Sequence, residues 1–139
     1  YCEVRVIAVS QNELGETLMP AFKIGDTIYN NPVQLVLDHI GGKWKLPIVW
    51  RLRNGKMRFS DIKRSLNEHL PEGKITDRTL SLQLKELEAS GLLRKKVFAE
   101  IPPRTEYTLT VLGEEVIPCI KSLQKLGATF KEAMHAKDV

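Results

Sequence analysis

The sequence predicts a mainly α fold with a small antiparallel β wing, an α+β arrangement, and three observations between Ile75 and Tyr107 carry that prediction. Thr76 stands where its hydroxyl can accept from a free backbone N–H one turn on, so it is suited to cap a helix. Leu80, Leu84 and Leu87 then recur at spacings of four and three, which marks one buried stripe. After Gly91, a helix-ending residue, two strand-like runs follow, Leu92 to Phe98 and Thr105 to Thr110. They are separated by Pro102 and Pro103, which cannot donate to a central ladder. A helix followed by a basic hairpin is the pattern of a winged helix-turn-helix.

Taken from the start, residues 1–30 form an N-terminal arm of unassigned role. It holds a short apolar run, Val4 to Val9, that reads as a strand, and then a mostly irregular stretch to Asn30. At Asn31-Pro32 the signal sharpens, because Asn is a strong N-cap and Pro is favoured at the first helical position. A short helix is expected to Ile40, broken by Gly41 and Gly42. A second begins near Lys43 and tolerates Pro47 close to its start. Leu46, Val49, Trp50 and Leu52 are expected to bury one side of it.

Gly55 closes that helix, and Met57 to Phe59 make a link into Ser60, the expected N-cap of a helix Asp61 to Leu66. Asn67 to Lys74, with Pro71 and Gly73, is the turn of the helix-turn-helix and is long for that role. Beyond the hairpin, Thr110 caps a last helix whose apolar positions are Leu112, Val116, Ile120, Leu123, Phe130 and Met134, with a kink expected at Pro118. The organisation expected is an arm over 1–30, a DNA-binding core over 31–111 and a dimerisation helix over 112–139. A terminal apolar stripe with no following element to cover it suits a subunit interface, and packing back on its own domain would explain it as well.

The 139 residues fit one domain able to bury a core without disulfides or metal. The net charge of +4 understates a local imbalance, since Lys43 to Arg104 holds fifteen Lys and Arg against seven Asp and Glu. A concentrated basic charge attracts polyanions, although a solvated face has the same composition. Cys2 and Cys119 have no metal or redox spacing, and His39, His69 and His135 lie on unrelated elements, so no metal site or cofactor is expected. Ser60 and Ser81 lack a nucleophile elbow or a paired base, which argues against an enzyme. Gly41-Gly42 lacks the preceding strand and further glycines of a phosphate loop. With no run of membrane-span length and no signal-peptide start, a cytoplasmic protein is expected.

The side of the Thr76 helix opposite its leucines carries Arg78, Leu82, Lys85 and Ala89, flanked by Thr79 and Ser81, so its first turns offer hydrogen-bonding groups of base-reading type. The candidate DNA-binding residues are Arg58, Ser60, Thr76, Arg78, Thr79, Ser81 and Lys85, with Lys95, Lys96 and Arg104 on the wing. Trp44 and Trp50 suit a core better than an effector stack. Two other classes fit the same residues: a winged-helix protein-interaction module, and an effector-binding regulator whose pocket lies between the core and the terminal helices.

Four motifs in order, PVQLVLDHIGGKW, RFSDIKRSL, ITDRTLSLQLKELEASGLL and IPPRTEYTLT leading to Gly113 and Pro118, give a chain that resembles the HxlR-type winged helix-turn-helix transcriptional regulators, relatives of the MarR group. The resemblance spans roughly Pro32 to Leu123. It implies a homodimer binding double-stranded DNA, with the helix from Thr76 to Ser90 in the major groove. It also implies a wing from Lys95 to Arg104 near the minor groove or backbone, and terminal helices that pair the subunits. Several members of that family sense oxidants through a cysteine just before the proline of the first core helix, where a helix N-terminus favours the thiolate. This chain has Asn31 there, and Cys119 is expected to be an inert buried thiol. The turn NEHLPEGK is longer than that family's usual connection.

Overall fold

The computed structural model describes residues 4–6, 22–29 and 31–137, which divide into two units at Gly41 and Gly42. In the first unit, β1 (Val4–Val6), β2 (Phe22–Ile24) and β3 (Thr27–Tyr29) form an antiparallel sheet in that order. Only the first half of the apolar run Val4 to Val9 is therefore seen as strand, and the remainder lies outside the described residues. The stretch expected to be irregular up to Asn30 instead contains a hairpin. Gly25 turns it with a φ of 59°, a left-handed conformation that glycine adopts without a Cβ clash. Phe22 and Tyr29 face each other across it with rings stacked at 5.5 Å. Cys2 lies outside the described residues.

Helix α1 (Pro32–Ile40) starts as the sequence reads: the Gln34 amide donates to Asn31 Oδ1 at 3.0 Å, and Pro32 takes the first helical position. Ile40 is buried, while Val33, Val36 and Leu37 are exposed. This helix belongs with the N-terminal sheet in the first unit.

The second unit begins with α2 (Lys45–Arg51) and a 3-10 turn, Leu52–Asn54. In α2 Ile48 and Val49 are fully buried, as is Leu52 in the turn that follows, so the expected stripe holds at Val49 and Leu52 and is corrected at Leu46 and Trp50, which are only partly covered. The reason is that α2 packs against both α3 and α5, so two adjacent positions about 100° apart on the helix are covered at once. Met57 and Arg58, expected as a link, form β4, which pairs antiparallel with β6. Helix α3 (Phe59–Asn67) follows directly, with Arg58 extended at the N-cap position. Ser60 is thus an exposed residue of the first turn and not the cap.

Helix α4 (Asp77–Ala89) is the centre of this unit. Leu80, Leu84 and Leu87 are essentially inaccessible, each contributing about 1.5–3 kcal/mol by burial. Ile48, Leu52 and Ile62 are buried in the core of the same unit. The helix ends in a Schellman turn, where Gly91 at φ 79° donates to Glu88 O and Leu92 donates to Leu87 O. Strands β5 (Leu93–Phe98) and β6 (Arg104–Leu109) form the wing hairpin, and the sheet order β4-β6-β5 makes the wing three-stranded.

Thr110 joins the wing to α5 (Val111–Lys137): its hydroxyl accepts from the Gly113 amide at 3.1 Å and donates to Gly91 O at 2.6 Å. Pro118 lies within this continuous helix. Among the described residues of α5, Gly113 and Ile120 are buried, and everything beyond Ile120 is exposed. Cys119 is therefore exposed, with only a long contact from Sγ to Glu115 O at 3.8 Å, which corrects the expected buried thiol. One step from Ile120 rotates it off the single line that touches the domain. Among the described residues, no helix is long and apolar enough to cross a membrane.

Candidate nucleic-acid interface

The exposed face of α4 is set by bonds at its start and on both flanks. At the start, the Thr79 amide donates to Thr76 Oγ1 at 3.2 Å, and the Thr76 hydroxyl is 3.1 Å from that of Thr79. Thr76 is thus the helix cap, and the half-buried Thr79 is engaged with it. On one flank Lys63 of α3 meets Asp77 at 2.7 Å, and on the other Lys45 of α2 meets Glu86 at 2.7 Å. Between those flanks Arg78, Ser81, Leu82, Lys85 and Ala89 face solvent. A lone exposed ion pair holds little energy, but two on opposite sides limit rotation of the helix about its axis. Arg78 has no ion pair among the described residues.

The long turn before α4 is closed by a side chain that sequence reasoning missed. Asn67 accepts from the Ile75 amide at 2.9 Å and donates to the Ile75 carbonyl at 3.3 Å. One carboxamide thus bridges eight residue steps and ties the end of α3 to the residue just before the α4 cap.

Alternation along β5 divides the wing cations between two faces. Lys95 lies opposite Tyr107 on the side of buried Leu93, whereas Arg94 and Lys96 lie on the other side, opposite Thr108 and Glu106. Burial, helped by the charge of Glu88, holds the Tyr107 phenol above its ordinary value, on the same face as Lys95. Arg58 of β4 is also opposite Glu106, which puts Arg58, Glu106 and Lys96 in one row across three strands.

Arg104 differs from the other candidates. Its guanidinium lies 4.1 Å from the centre of the Phe98 ring, 3.6 Å from Glu106 and 3.4 Å from Glu100. Lys56 reaches the same Glu106 at 3.8 Å. Arg104 is thus part of the wing's internal framework, and Glu106, only slightly exposed, is the acid around which the wing cations gather. Arg58 and Ser60 meet Arg104 and the tip residues Glu100 to Pro103 around a cleft of about 480 Å³. The sequence signal for Glu106 was its place between charged strands, but its partners depend on cross-strand register. Among the described residues no His, Cys, Asp or Glu cluster suits a metal ion.

Comparison with known proteins agrees with this geometry. The profile of the HxlR-like helix-turn-helix family matches residues 39–135. An HTH-type transcriptional regulator of Methanothermobacter thermautotrophicus is 43% identical over 107 residues, 77% of each chain. YdeP of Bacillus subtilis, also an HTH-type transcriptional regulator, is 39% identical over 101 residues, covering 73% of this chain and 74% of its own. Among solved structures, the redox regulator HypR in its reduced form superposes with a TM-score of 0.66 at 36% identity, over 76% of this chain and 99% of that one. The HTH-type transcriptional regulator YtcD gives 0.65 at 35% identity, over 73% and 98%.

Proposed function

Because the chain belongs to the HxlR-like helix-turn-helix family, we propose that it is a cytoplasmic, sequence-specific DNA-binding transcriptional regulator that acts as a homodimer. The observation that carries this reading is the exposed face of α4, where Arg78, Ser81 and Lys85 are presented together beside a basic three-stranded wing. A guanidinium fork at Arg78 matches the two acceptors of a guanine edge in the major groove, and Ser81 and Lys85 extend the contact along the helix. Arg58, Lys95 and Lys96 supply charge for the phosphates, with Ser60 as a hydroxyl donor at the start of α3. Thr76 and Thr79 act by fixing the helix start, and Arg104 acts by shaping the wing.

Dimerisation is supported by α5, on which Leu123, Leu126, Phe130 and Met134 are each half exposed or more. Their spacings of three and four make a seam that a second copy would cover. One reading helix contacts too few bases for selectivity, and two related by a two-fold would read half-sites about one turn, roughly 10 base pairs, apart. The test is a gel shift across a salt series on a duplex selected from a random pool, with a footprint of the same complex. Two symmetric protected segments support the reading. Absence of salt-sensitive duplex binding would leave the winged-helix interaction module as the better account.

A small-molecule effector is a second reading, favoured by one cleft. Leu46, Pro47, Trp50, Arg51, Ile120 and Leu123 border about 360 Å³ at the meeting of α2 and α5, and Arg51 Nε is buried with no hydrogen-bond partner among the described residues. An apolar wall with one unsatisfied guanidinium N–H suits a small aromatic carboxylate. Titration of the Trp50 fluorescence with benzoate-type anions tests it, and an unchanged spectrum up to millimolar anion removes it.

A further inference from the structure

Leu82 is 52% exposed, the one large apolar side chain of α4 that the fold leaves open among the described residues. Leu80 and Leu84, two places to either side of it, are turned into the core. At about 100° per residue, Leu82 therefore stands on the opposite side of the helix. A single exposed leucine is ordinary on a protein surface, and what distinguishes this one is its neighbours. Arg78 precedes it by four residues and Lys85 follows it by three, the two spacings that bring side chains together on one helix face, and Ser81 lies beside it. The middle of the face that α4 presents to solvent is thus apolar, with a cation about one turn away in each direction. The open half of Leu82 adds nothing to the core, and it can make no hydrogen bond to a phosphate or to a base edge.

From this arrangement we infer that Leu82 selects thymine, packing on the C5-methyl group that thymine alone of the four bases projects into the major groove. This rests on the DNA-binding reading of α4 and adds to it a base that the polar residues of the helix do not single out. A G·C pair presents only donors and acceptors on its major-groove edge. Seated over guanine O6 and N7 or over the cytosine amino group, the leucine would strip their water and return no hydrogen bond. Seated over a thymine methyl, two apolar surfaces leave water together. The flanking cations favour the same placement, because Arg78 and Lys85 are drawn to acceptors and phosphates and leave the leucine between them to the apolar feature of the groove. The position of that thymine follows from helix geometry. Four residues of α4 span about 6 Å, against about 3.4 Å for one base step, so it lies within about two steps of the base that Arg78 meets.

The test uses the full chain and a duplex selected from a random-sequence pool. Each thymine of the footprinted half-sites is replaced in turn by uracil, which keeps every hydrogen-bonding group and lacks only the methyl. The wild type should lose roughly four-fold at one position in each half-site, the loss expected for one methyl group returned to water. At that position 5-methylcytosine should bind more tightly than cytosine by a similar factor, since the methyl alone separates the two. Leu82→Ala and Leu82→Gln should bind the thymine and uracil duplexes alike, whereas Leu82→Met should discriminate as the wild type does. The uracil arm needs no altered protein, and circular dichroism checks that each variant is folded. A wild type indifferent to uracil at every thymine, or Leu82→Ala that still discriminates, would overturn the inference while leaving DNA binding standing. A wild type that binds no duplex at all removes both readings.

Discussion

The Asn67 side chain holds both main-chain groups of Ile75, accepting from its amide at 2.9 Å and donating to its carbonyl at 3.3 Å. One residue thereby sets the register between the helix that supports the interface and the helix that forms it. Asn67→Ala should leave two partly buried backbone groups unsatisfied and cost about 1–3 kcal/mol of stability. Specific DNA affinity should fall more than random-duplex affinity, because α4 loses its fixed approach. Asn67→Asp keeps the acceptor alone and should fall between. Urea melts and gel shifts on all three proteins check the order, and an Asn67→Ala protein as stable as wild type would remove the clamp from the account.

Arg78 and Lys96 should fail differently. Arg78→Ala should cost about 1–3 kcal/mol on the selected site and relax the preference at one position. Lys96→Ala should weaken selected and scrambled duplex alike and flatten the slope of log affinity against log salt by about one unit. Equal losses on both duplexes for Arg78→Ala would make it a phosphate contact and pass base reading to Ser81 and Lys85. Glu106 does not compete for Arg78, since it is held by Lys56 and Arg104.

The core of this interface was legible because its signals are local. Thr76 and Leu80, Leu84 and Leu87 lie within three turns of one helix, and Asn31 and Thr110 cap through residues three places on. What was missed depends on partners distant in sequence. Strand β4 is two residues long and exists only through β6, some fifty residues later, and once it pairs, Arg58 displaces Ser60 from the cap position. The commitment of Arg104 to Glu106 and Phe98 follows from hairpin register, which periodicity does not supply. Exposure of Cys119 is set by how far α5 follows the domain, and no residue pattern marks that point.

A charge placed on the α5 stripe tests the dimer. Phe130→Glu, at a site already 55% exposed in the single chain, should leave the folded monomer within about 0.5 kcal/mol of wild type. In sedimentation it should shift a dimer to monomer, with loss of selective DNA binding. A variant that sediments as wild type would place the interface elsewhere.

Oxidants should not release the protein from DNA through the start of α1, where Asn31 serves as a cap and offers no thiolate. A diamide response, if measured, should disappear in a Cys2→Ser, Cys119→Ser double variant. Release that survives in that variant would show that thiols are not involved.

Gly113 tests the junction between wing and α5. A Cβ there would fall well inside contact distance of Leu92 O and against Leu109. Backbone cannot yield as a side chain does, so Gly113→Ala should cost about 1–3 kcal/mol despite its better helix propensity. A thermal melt with unchanged midpoint would overturn this.

The shared hydroxyl of Thr110 gives that junction a further meaning. It ties the last turn of the reading helix to the first turn of a 27-residue helix, a rod about 40 Å long. In a dimer joined along such rods, the Thr110 junction acts as the pivot of a long lever. A tilt there of only about five degrees would carry the far end through about 3.5 Å, roughly one base-pair step. In such a dimer, the spacing between two operator halves would be governed less by the residues that touch DNA than by the stiffness of this single three-way hydrogen-bonded corner.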